Sequence, residues 1–221
     1  MTSIFSPILR TAAFCFAING FSSFVFAQSV GLPAPRLLTT TPMGAKVGTQ
    51  VEVTISGDHI DDADELTFSD KRITAVRKLN AEGKPEANKY VVTVAAECPV
   101  GIHETRVMTR LGISSSRAFS IGTLDEVTRT APNTTLATAM ELKVNSICNG
   151  VMTARAADHY TFEAKKGQRI IVDCATRGID SKLDATVIVA DAAGRDLQVE
   201  RRGGALDFAV PADGKIGRAH V

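Results

Sequence analysis

Apolar and polar residues alternate with a period of two along much of the chain. Residues 51–56 read Val-Glu-Val-Thr-Ile-Ser, and residues 90–94 repeat the alternation more loosely as Tyr-Val-Val-Thr-Val. A period of two places every second side chain on one face of a β-strand, so one face of each strand is buried. Further strands are predicted at residues 37–41, 66–68, 73–79, 103–110 and 117–121.

Turns rich in glycine, proline and charged residues separate these strands, as at residues 42–44, 57–58, 83–85 and 99–101. About seven short alternating strands in this length of chain are typical of an immunoglobulin-like β-sandwich. The pattern therefore predicts a first β-sandwich domain over residues 33–122.

The segment that follows is polar, contains Pro132 and has few large apolar residues, so residues 123–135 are predicted to form a linker. One or two helical turns are expected within residues 135–143. Strands then resume at residues 146–152, 159–164, 168–175, 185–191, 196–200 and 206–210. The fold class is thus all-β, with a second β-sandwich domain over residues 136–215.

The N-terminal 27 residues have the organisation of a secretory signal peptide. Arg10 provides a short positive start, an apolar run follows, and Val25 and Ala27 place small residues at the −3 and −1 positions. The alternative is a membrane anchor, but the run is interrupted by polar residues and falls short of the ~20 apolar residues that span a bilayer. Cleavage after Ala27 predicts an exported protein that is periplasmic, cell-surface or secreted, with no transmembrane span in the mature chain.

Charge and composition narrow the function classes. Without Arg10 the mature chain has 25 − 1 = 24 basic and 24 acidic residues, so it lacks the basic footprint of a nucleic-acid binder. Six of the ten phenylalanines lie in the leader, and the chain has two tyrosines and no tryptophan. An aromatic platform for sugars or nucleic-acid bases is therefore hard to build.

No catalytic residues are assigned. The serines at 114–116 follow Gly112 without forming a Gly-x-Ser-x-Gly elbow, and a turn between two strands is the favoured interpretation. His103-Glu104 lies on a predicted strand, so no second zinc ligand follows one helical turn later. The acidic cluster at residues 58–65 lacks the glycine of an EF-hand loop and is interpreted as a solvated turn.

The cysteines leave two alternatives open. Cys15 lies in the leader, and Cys98, Cys148 and Cys174 remain, an odd number for an oxidising compartment. A disulfide between Cys148 and Cys174, both in the second half, is one alternative. The favoured alternative is that all three are small buried thiols. No spacing of cysteine or histidine residues indicates a zinc site.

Two stretches resemble known families. The sequences TPMG at 41–44, VEVTISG at 51–57 and PVGIH at 99–103 resemble an IPT/TIG-type immunoglobulin-like domain over residues 35–121. From residue 131 to 215 the chain resembles the bacterial pre-peptidase C-terminal domain, which is related to the collagen-binding domains of secreted collagenases. The matching motifs are PNT at 132–134, NGV at 149–151, DHYTF at 158–162, KGQR at 166–169, IDSKLD at 179–184, AAGRDL at 192–197, LDF at 206–208 and PADG at 211–214.

The second resemblance implies a jelly-roll-like sandwich appended to large exported bacterial proteins, often peptidases, where it serves attachment, secretion or processing. Some members bind calcium near the start of the module. Here Ala131 and His159 replace two expected acidic residues, which leaves Asn133 and Asp158 as weak calcium candidates. No other cofactor is expected.

The end of the chain departs from this family pattern. The family has a Tyr-x-Val-x-Val strand directly after the Asp-Gly turn, whereas residues 216–221 match what a sequencing-adapter oligonucleotide encodes in one reading frame. They are interpreted as an artefactual tail, so the second sandwich is expected to be incomplete at its C-terminus and the chain to be a fragment.

The predicted function is a non-catalytic binding or accessory module of a larger bacterial cell-surface or secreted protein. Its partner is an unidentified extracellular polymer or protein. Two alternatives remain: the front part of a secreted peptidase whose catalytic domain lies downstream, and a structural cell-wall or adhesion protein. The sequence distinguishes these classes only through the catalytic motifs that are absent from it. The fold does not help, because β-sandwiches carry many unrelated functions.

Overall fold

A computed structural model describes residues 31–152 and 156–217. In the first half, strands cover most of the chain, because the alternating segments bury one face each. Their bounds are β1 (Arg36–Thr41), β2 (Gly44–Lys46), β3 (Gln50–Asp58), β4 (Glu65–Phe68), β5 (Ile73–Leu79), β6 (Pro85–Val94), β7 (Gly101–Thr109), β8 (Gly112–Ile113) and β9 (Arg117–Gly122).

These strands form two sheets. One has the order β1-β3-β6-β5, and the other has the order β2-β9-β7-β4, with β8 also paired to β7. All neighbours are antiparallel except β2 and β9, which pair in parallel from Gly44↔Ser120 to Lys46↔Gly122. The second half of the chain is also built from strands, so the predicted all-β class is confirmed.

The inward faces of the two sheets enclose the larger hydrophobic core. Val53 on β3 lies opposite Tyr90 on β6, and both side chains are buried, as the period-two pattern predicts. Phe68 and Phe119 meet edge to face across the other sheet, with ring centroids 5.1 Å apart. The remaining buried members of this cluster come from residues 37–121.

The second half has shorter strands and smaller sheets. Its elements are β10 (Asp125–Thr128), a 3₁₀ helix (Leu136–Thr138), β11 (Met140–Glu141), β12 (Ser146–Asn149), β13 (Tyr160–Ala164), β14 (Arg169–Val172), a second 3₁₀ helix (Arg177–Ile179), β15 (Val187–Ala190), β16 (Asp196–Glu200), β17 (Leu206–Ala209) and β18 (Gly214–Ile216). A separate cluster of buried apolar residues between 164 and 216 forms its core. Despite their separate cores, the two halves belong to one compact unit that begins at Leu32.

Three details differ from the local sequence expectations. The predicted linker contains strand β10, which pairs in parallel with β12 from Asp125↔Ser146 to Thr128↔Asn149. The expected helical turns are a single 3₁₀ turn capped by Thr135, followed directly by strand β11. Ile216, which was interpreted as part of the artefactual tail, lies in β18. It pairs with Phe162 on β13 and is buried in the second cluster.

Other predictions fall on residues outside the described part of the chain. The signal peptide over residues 1–27 and most of the tail, residues 218–221, are among them. Within residues 31–152 and 156–217, no helix has both the length and the apolar character needed to cross a membrane.

Candidate functional site

An open groove lies where two loops of the first sandwich meet. Its volume is about 500 Å³, and it is lined by His59, Asp61, Asp62, Arg110 and Leu111. The first three residues belong to the connection between β3 and β4, and the last two form the tight turn between β7 and β8. We call these five residues the loop groove.

Buried anchors hold the first of these loops in place. His59 adopts a left-handed backbone conformation with φ of 55°, and Ile60 then points into the core, where only 1% of it is exposed. The backbone N–H of Ala63 donates to the carbonyl of Ile60 at 2.9 Å. The buried hydroxyl of Tyr90 donates to the carbonyl of Ala63 at 3.2 Å, which ties the end of the loop to strand β6.

An ion pair joins the two loops. The Nε of Arg110 donates to Oδ2 of Asp62 at 3.0 Å, and the backbone N–H of Arg110 donates to the same oxygen at 3.2 Å. These hydrogen bonds hold the pKa of the Asp62 carboxyl below its ordinary value. The Arg110 side chain is 88% exposed, so its guanidinium faces solvent while one edge stays on Asp62.

The β7–β8 hairpin, which contributes Arg110 and Leu111 to the groove, also carries exposed apolar side chains. Met108 and Ile113 lie directly opposite each other in the hairpin, and both side chains are exposed, as is Leu111. The groove therefore combines an imidazole, carboxylates and a guanidinium with apolar surface. Its five lining residues can donate and accept hydrogen bonds to a bound ligand, and they include no serine, threonine, cysteine or lysine.

The two calcium candidates, Asn133 and Asp158, are brought together in the second half, but around an arginine. Nη1 of Arg129 lies 2.9 Å from Oδ1 of Asn133 and 3.1 Å from Oδ1 of Asp158. Asp158 is completely buried and only 7% of the Arg129 side chain is exposed. The other nitrogen, Nη2, donates to the carbonyl of Val151. We call these four residues the Arg129 cluster.

Backbone and side-chain hydrogen bonds set the position of this cluster. The side-chain amide nitrogen of Asn133 donates to the backbone carbonyl of His159 at 2.8 Å. The backbone N–H of His159 donates in turn to the backbone carbonyl of Asn133. Nearby, burial raises the pKa of Tyr160 to about 12, and the charges of Cys148 and Asp158 act in the same direction. Burial likewise raises the pKa of Glu126, whose carboxylate accepts from Asn149 at 2.7 Å.

A second open pocket, of about 210 Å³, lies beside the cluster. It is lined by Arg129 itself, by its neighbours between Thr128 and Pro132, by Gly150 and Val151, and by Thr41 at the end of β1. Strand β10 and the residues that follow it therefore contact both the first sandwich and the second half.

All three described cysteines are free thiols, so the disulfide between Cys148 and Cys174 is not formed in this structure. Cys148 lies 3.8 Å from the sulfur of Met140, and Cys98 is buried in the first core. Burial raises the pKa of all three thiols, which disfavours the reactive thiolate. The described ranges contain no group of three or more histidine, cysteine, aspartate or glutamate side chains that could hold a metal ion.

The motifs considered for catalysis have structural roles. Ser114 is buried, and its Oγ accepts the backbone N–H of Val107 at 2.9 Å and donates to the carbonyl of Ser115. Nε2 of His103 lies 2.8 Å from the carbonyl oxygen of Pro99 in the preceding turn. Outside these motifs, Asp180 of the IDSKLD segment follows the second 3₁₀ helix and accepts the backbone N–H of Ala118 on β9 at 2.8 Å.

The acidic cluster of residues 58–65 is divided among separate arginines. Asp58 pairs with Arg36, Asp62 with Arg110 and Asp64 with Arg77, at distances of 3.0–3.5 Å. These partners lie on three different segments, and no three carboxylates of the described residues are grouped so that they could hold a metal ion. This arrangement agrees with the interpretation of a solvated turn.

Sequence reasoning did not single out the arginines of either site. Arg129 and Arg110 are isolated in sequence from Asp158 and Asp62, by 29 and 48 residues. No local motif marks them, because each acquires its partner only through the tertiary fold.

Comparisons with known proteins do not place the chain in a family. No family model matches it, and no curated protein matches it. Among solved structures it is similar to the Bacteroides ovatus mixed-linkage glucan utilization locus protein SGBP-B, which was solved in complex with a mixed-linkage heptasaccharide. The identity is 10%, the TM-score is 0.29, and the alignment covers 80% of this chain and 34% of that protein, so the chain spans about a third of its length. A likeness at this level identifies neither a family nor a ligand.

Proposed function

We propose that this chain is a non-catalytic binding module of an exported bacterial protein, and that it contacts an extracellular polymer or protein through the loop groove. The observation that carries the proposal is the groove itself, an open and shallow depression lined by two loops of the first β-sandwich. Sandwiches commonly place binding residues on such loops, because the sheets below hold the loops in position.

The chemical groups of the groove can bind a ligand. Asp61 and Asp62 supply hydrogen-bond acceptors, and Arg110 supplies donors. Leu111 and its apolar neighbours supply exposed apolar surface, whose burial by a ligand is favourable. A ligand with hydrogen-bonding groups next to apolar groups, as in a protein or peptide chain, matches this combination. The scarcity of aromatic residues disfavours a ligand that binds by ring stacking.

The resemblance of residues 131–215 to the pre-peptidase C-terminal domain supports an attachment role. If the chain is such a module, its partner is an extracellular polymer or protein to which it attaches. Retention of the purified chain on insoluble collagen and on cell-wall polymer tests this directly, with soluble protein measured before and after sedimentation.

Variants of the groove sharpen the test. Arg110→Ala removes the exposed guanidinium, and Leu111→Ser removes an exposed apolar side chain, and both are expected to reduce retention. Lys84→Ala is the matched control, since Lys84 is an exposed cation on a different turn of the same sandwich, 75% of its side chain being exposed. Equal retention of all three variants would assign binding to another surface.

The main rival is an accessory front part of a secreted peptidase whose catalytic domain lies downstream of this chain. This rival also predicts no hydrolysis by the purified chain, and a peptidase domain encoded in the gene beyond the codon for Lys215 would support it. Hydrolysis of casein or gelatin by the purified chain would contradict the non-catalytic proposal. Retention without hydrolysis agrees with it. If the purified chain neither binds nor hydrolyses these materials, the result would favour a structural cell-wall or adhesion role.

A further inference from the structure

The Arg129 cluster bears on whether this chain uses calcium. The resemblance of the second half implies a calcium site to which Asn133 and Asp158 could contribute oxygens. Calcium takes about six to eight oxygen ligands and is favoured by several carboxylates. Here Asp158 is the only carboxylate of the cluster, and the side chains of Ala131 and His159 supply none.

The position between the two candidate ligands is taken by the arginine. One guanidinium nitrogen, Nη1, contacts Oδ1 of both Asn133 and Asp158, and the other donates to the carbonyl of Val151. Three oxygens from three separate segments thus converge on one positive charge. The residues present do not fit calcium, because the cation that they surround already belongs to the chain.

We propose that Arg129 is the resident cation of this cluster and that it replaces a metal ion in joining the end of strand β10 to the segment that carries Asp158. A completely buried carboxylate requires a nearby positive charge, because its desolvation is otherwise too costly. Arg129 supplies that charge to Asp158 at 3.1 Å with its side chain 7% exposed. The planar guanidinium also reaches several oxygens at once, which a lysine ammonium does less well.

The surroundings of Arg129 accommodate this side chain. A Cβ atom added at Gly150 would lie 3.2 Å from Nε of Arg129 and 3.5 Å from its Cβ. The absence of a side chain at Gly150 therefore leaves the space through which the arginine passes to Asp158. Larger residues at this position would press on the arginine.

Arg129 directly follows strand β10 in the chain. Its backbone N–H donates to the carbonyl of Asn149 at 2.8 Å, which extends the β10–β12 ladder by one bond. At the other end of β10, Asp125 accepts from Lys46 of the first sandwich at 2.6 Å. Strand β10 thus pairs with β12 and contacts the first sandwich through Asp125, and Arg129 adds a buried ion pair directly after the strand.

Thermal melting in chelator and in millimolar calcium is the first test. An ion that binds only the folded state must raise the melting temperature, so the proposal predicts the same Tm for the unmodified chain in both conditions. A rise in calcium that Asp158→Asn abolishes would overturn the proposal.

Substitutions test the arginine itself. Arg129→Ala leaves a buried carboxylate without its partner and is expected to lower Tm by about 6–20 °C, with Arg129→Lys lowering it less. Arg201→Ala, at an exposed arginine of the second half, is the matched control and should leave Tm nearly unchanged. An Arg129→Ala variant that melts like the unmodified chain would overturn the proposal.

A double variant keeps the test decisive if Arg129→Ala fails to fold. Replacing Asp158 by alanine as well removes the unpaired charge, so the double variant should recover at least half of the lost Tm. Asp158→Ala alone completes the set of variants. If the loss of Tm in the double variant equals the sum of the losses in the two single variants, the two residues are not coupled and the proposal is contradicted.

Discussion

Replacing Tyr90 by phenylalanine tests whether the core positions the loop groove. The Tyr90 ring is 2% exposed within the first hydrophobic cluster, and its hydroxyl donates to the carbonyl of Ala63 at 3.2 Å. Ala63 directly follows Asp61 and Asp62, two lining residues of the groove. The variant removes this hydrogen bond and keeps the ring, so it leaves the packing of the core almost unchanged.

The expected loss follows from that geometry. A buried hydrogen bond contributes about 0.5–1.5 kcal/mol net, and a buried carbonyl that loses its partner adds part of a desolvation penalty of about 1–3 kcal/mol. Ala63 is 3% exposed, so water does not readily replace the hydroxyl. We therefore expect the free energy of unfolding to fall by about 1–2 kcal/mol, with no cavity contribution.

Urea unfolding followed by far-UV circular dichroism measures this change through the midpoint concentration at constant m-value. Val76→Ala is the control, because Val76 lies on the neighbouring strand β5 and is 64% exposed. The two variants should differ by about 1 kcal/mol or more. If Tyr90→Phe unfolds at the same urea concentration as the control, the hydroxyl does not hold the loop and the reasoning is refuted.

Three further predictions concern the backbone, the tyrosines and the leader. Gly57→Ala should destabilise the chain by about 1–3 kcal/mol in urea unfolding, because its Cβ would lie 2.0 Å from the carbonyl oxygen of Arg36, whereas Gly178→Ala meets open space and should cost little. Tyr160 has a pKa raised to about 12 and Tyr90 a pKa raised by burial, so the stability that they contribute is complete below pH ~10 and lost as the pH rises through their folded-state values. Spectrophotometric titration should accordingly detect tyrosinate at higher pH in the folded chain than in denaturant, and coincident curves would contradict the burial of both rings. Ala27→Phe should block processing of the leader, which intact mass measurement detects as retention of residues 1–27, while the unmodified chain begins at Gln28.

The strands of the first sandwich could be predicted closely because their signal is local. Residues 51–55 alternate on β3, and the structure buries Val53 and Ile55 on the side that the pattern indicates. Strand β10 was missed for the opposite reason. Asp125–Thr128 is a short polar segment without alternation, and it becomes a strand only because β12 lies beside it in parallel.

The candidate sites show the same division. Asn133 and Asp158 were identified by their resemblance to a family motif, and the structure does place both at one cluster. Their partner Arg129 carried no sequence signal, and in our proposal this arginine, rather than a metal ion, is the cation of the site. The loop groove was also missed, because an exposed charged turn in sequence looks the same with or without a facing loop.

By itself, the sequence determined the all-β class and the strands with one buried face, since both depend on neighbours two positions apart. Tertiary structure alone decided which charges meet. Arg110 reaches Asp62 across 48 residues and Arg129 reaches Asp158 across 29, and the free energy of a charge depends on its burial and its partner rather than on its position in the chain.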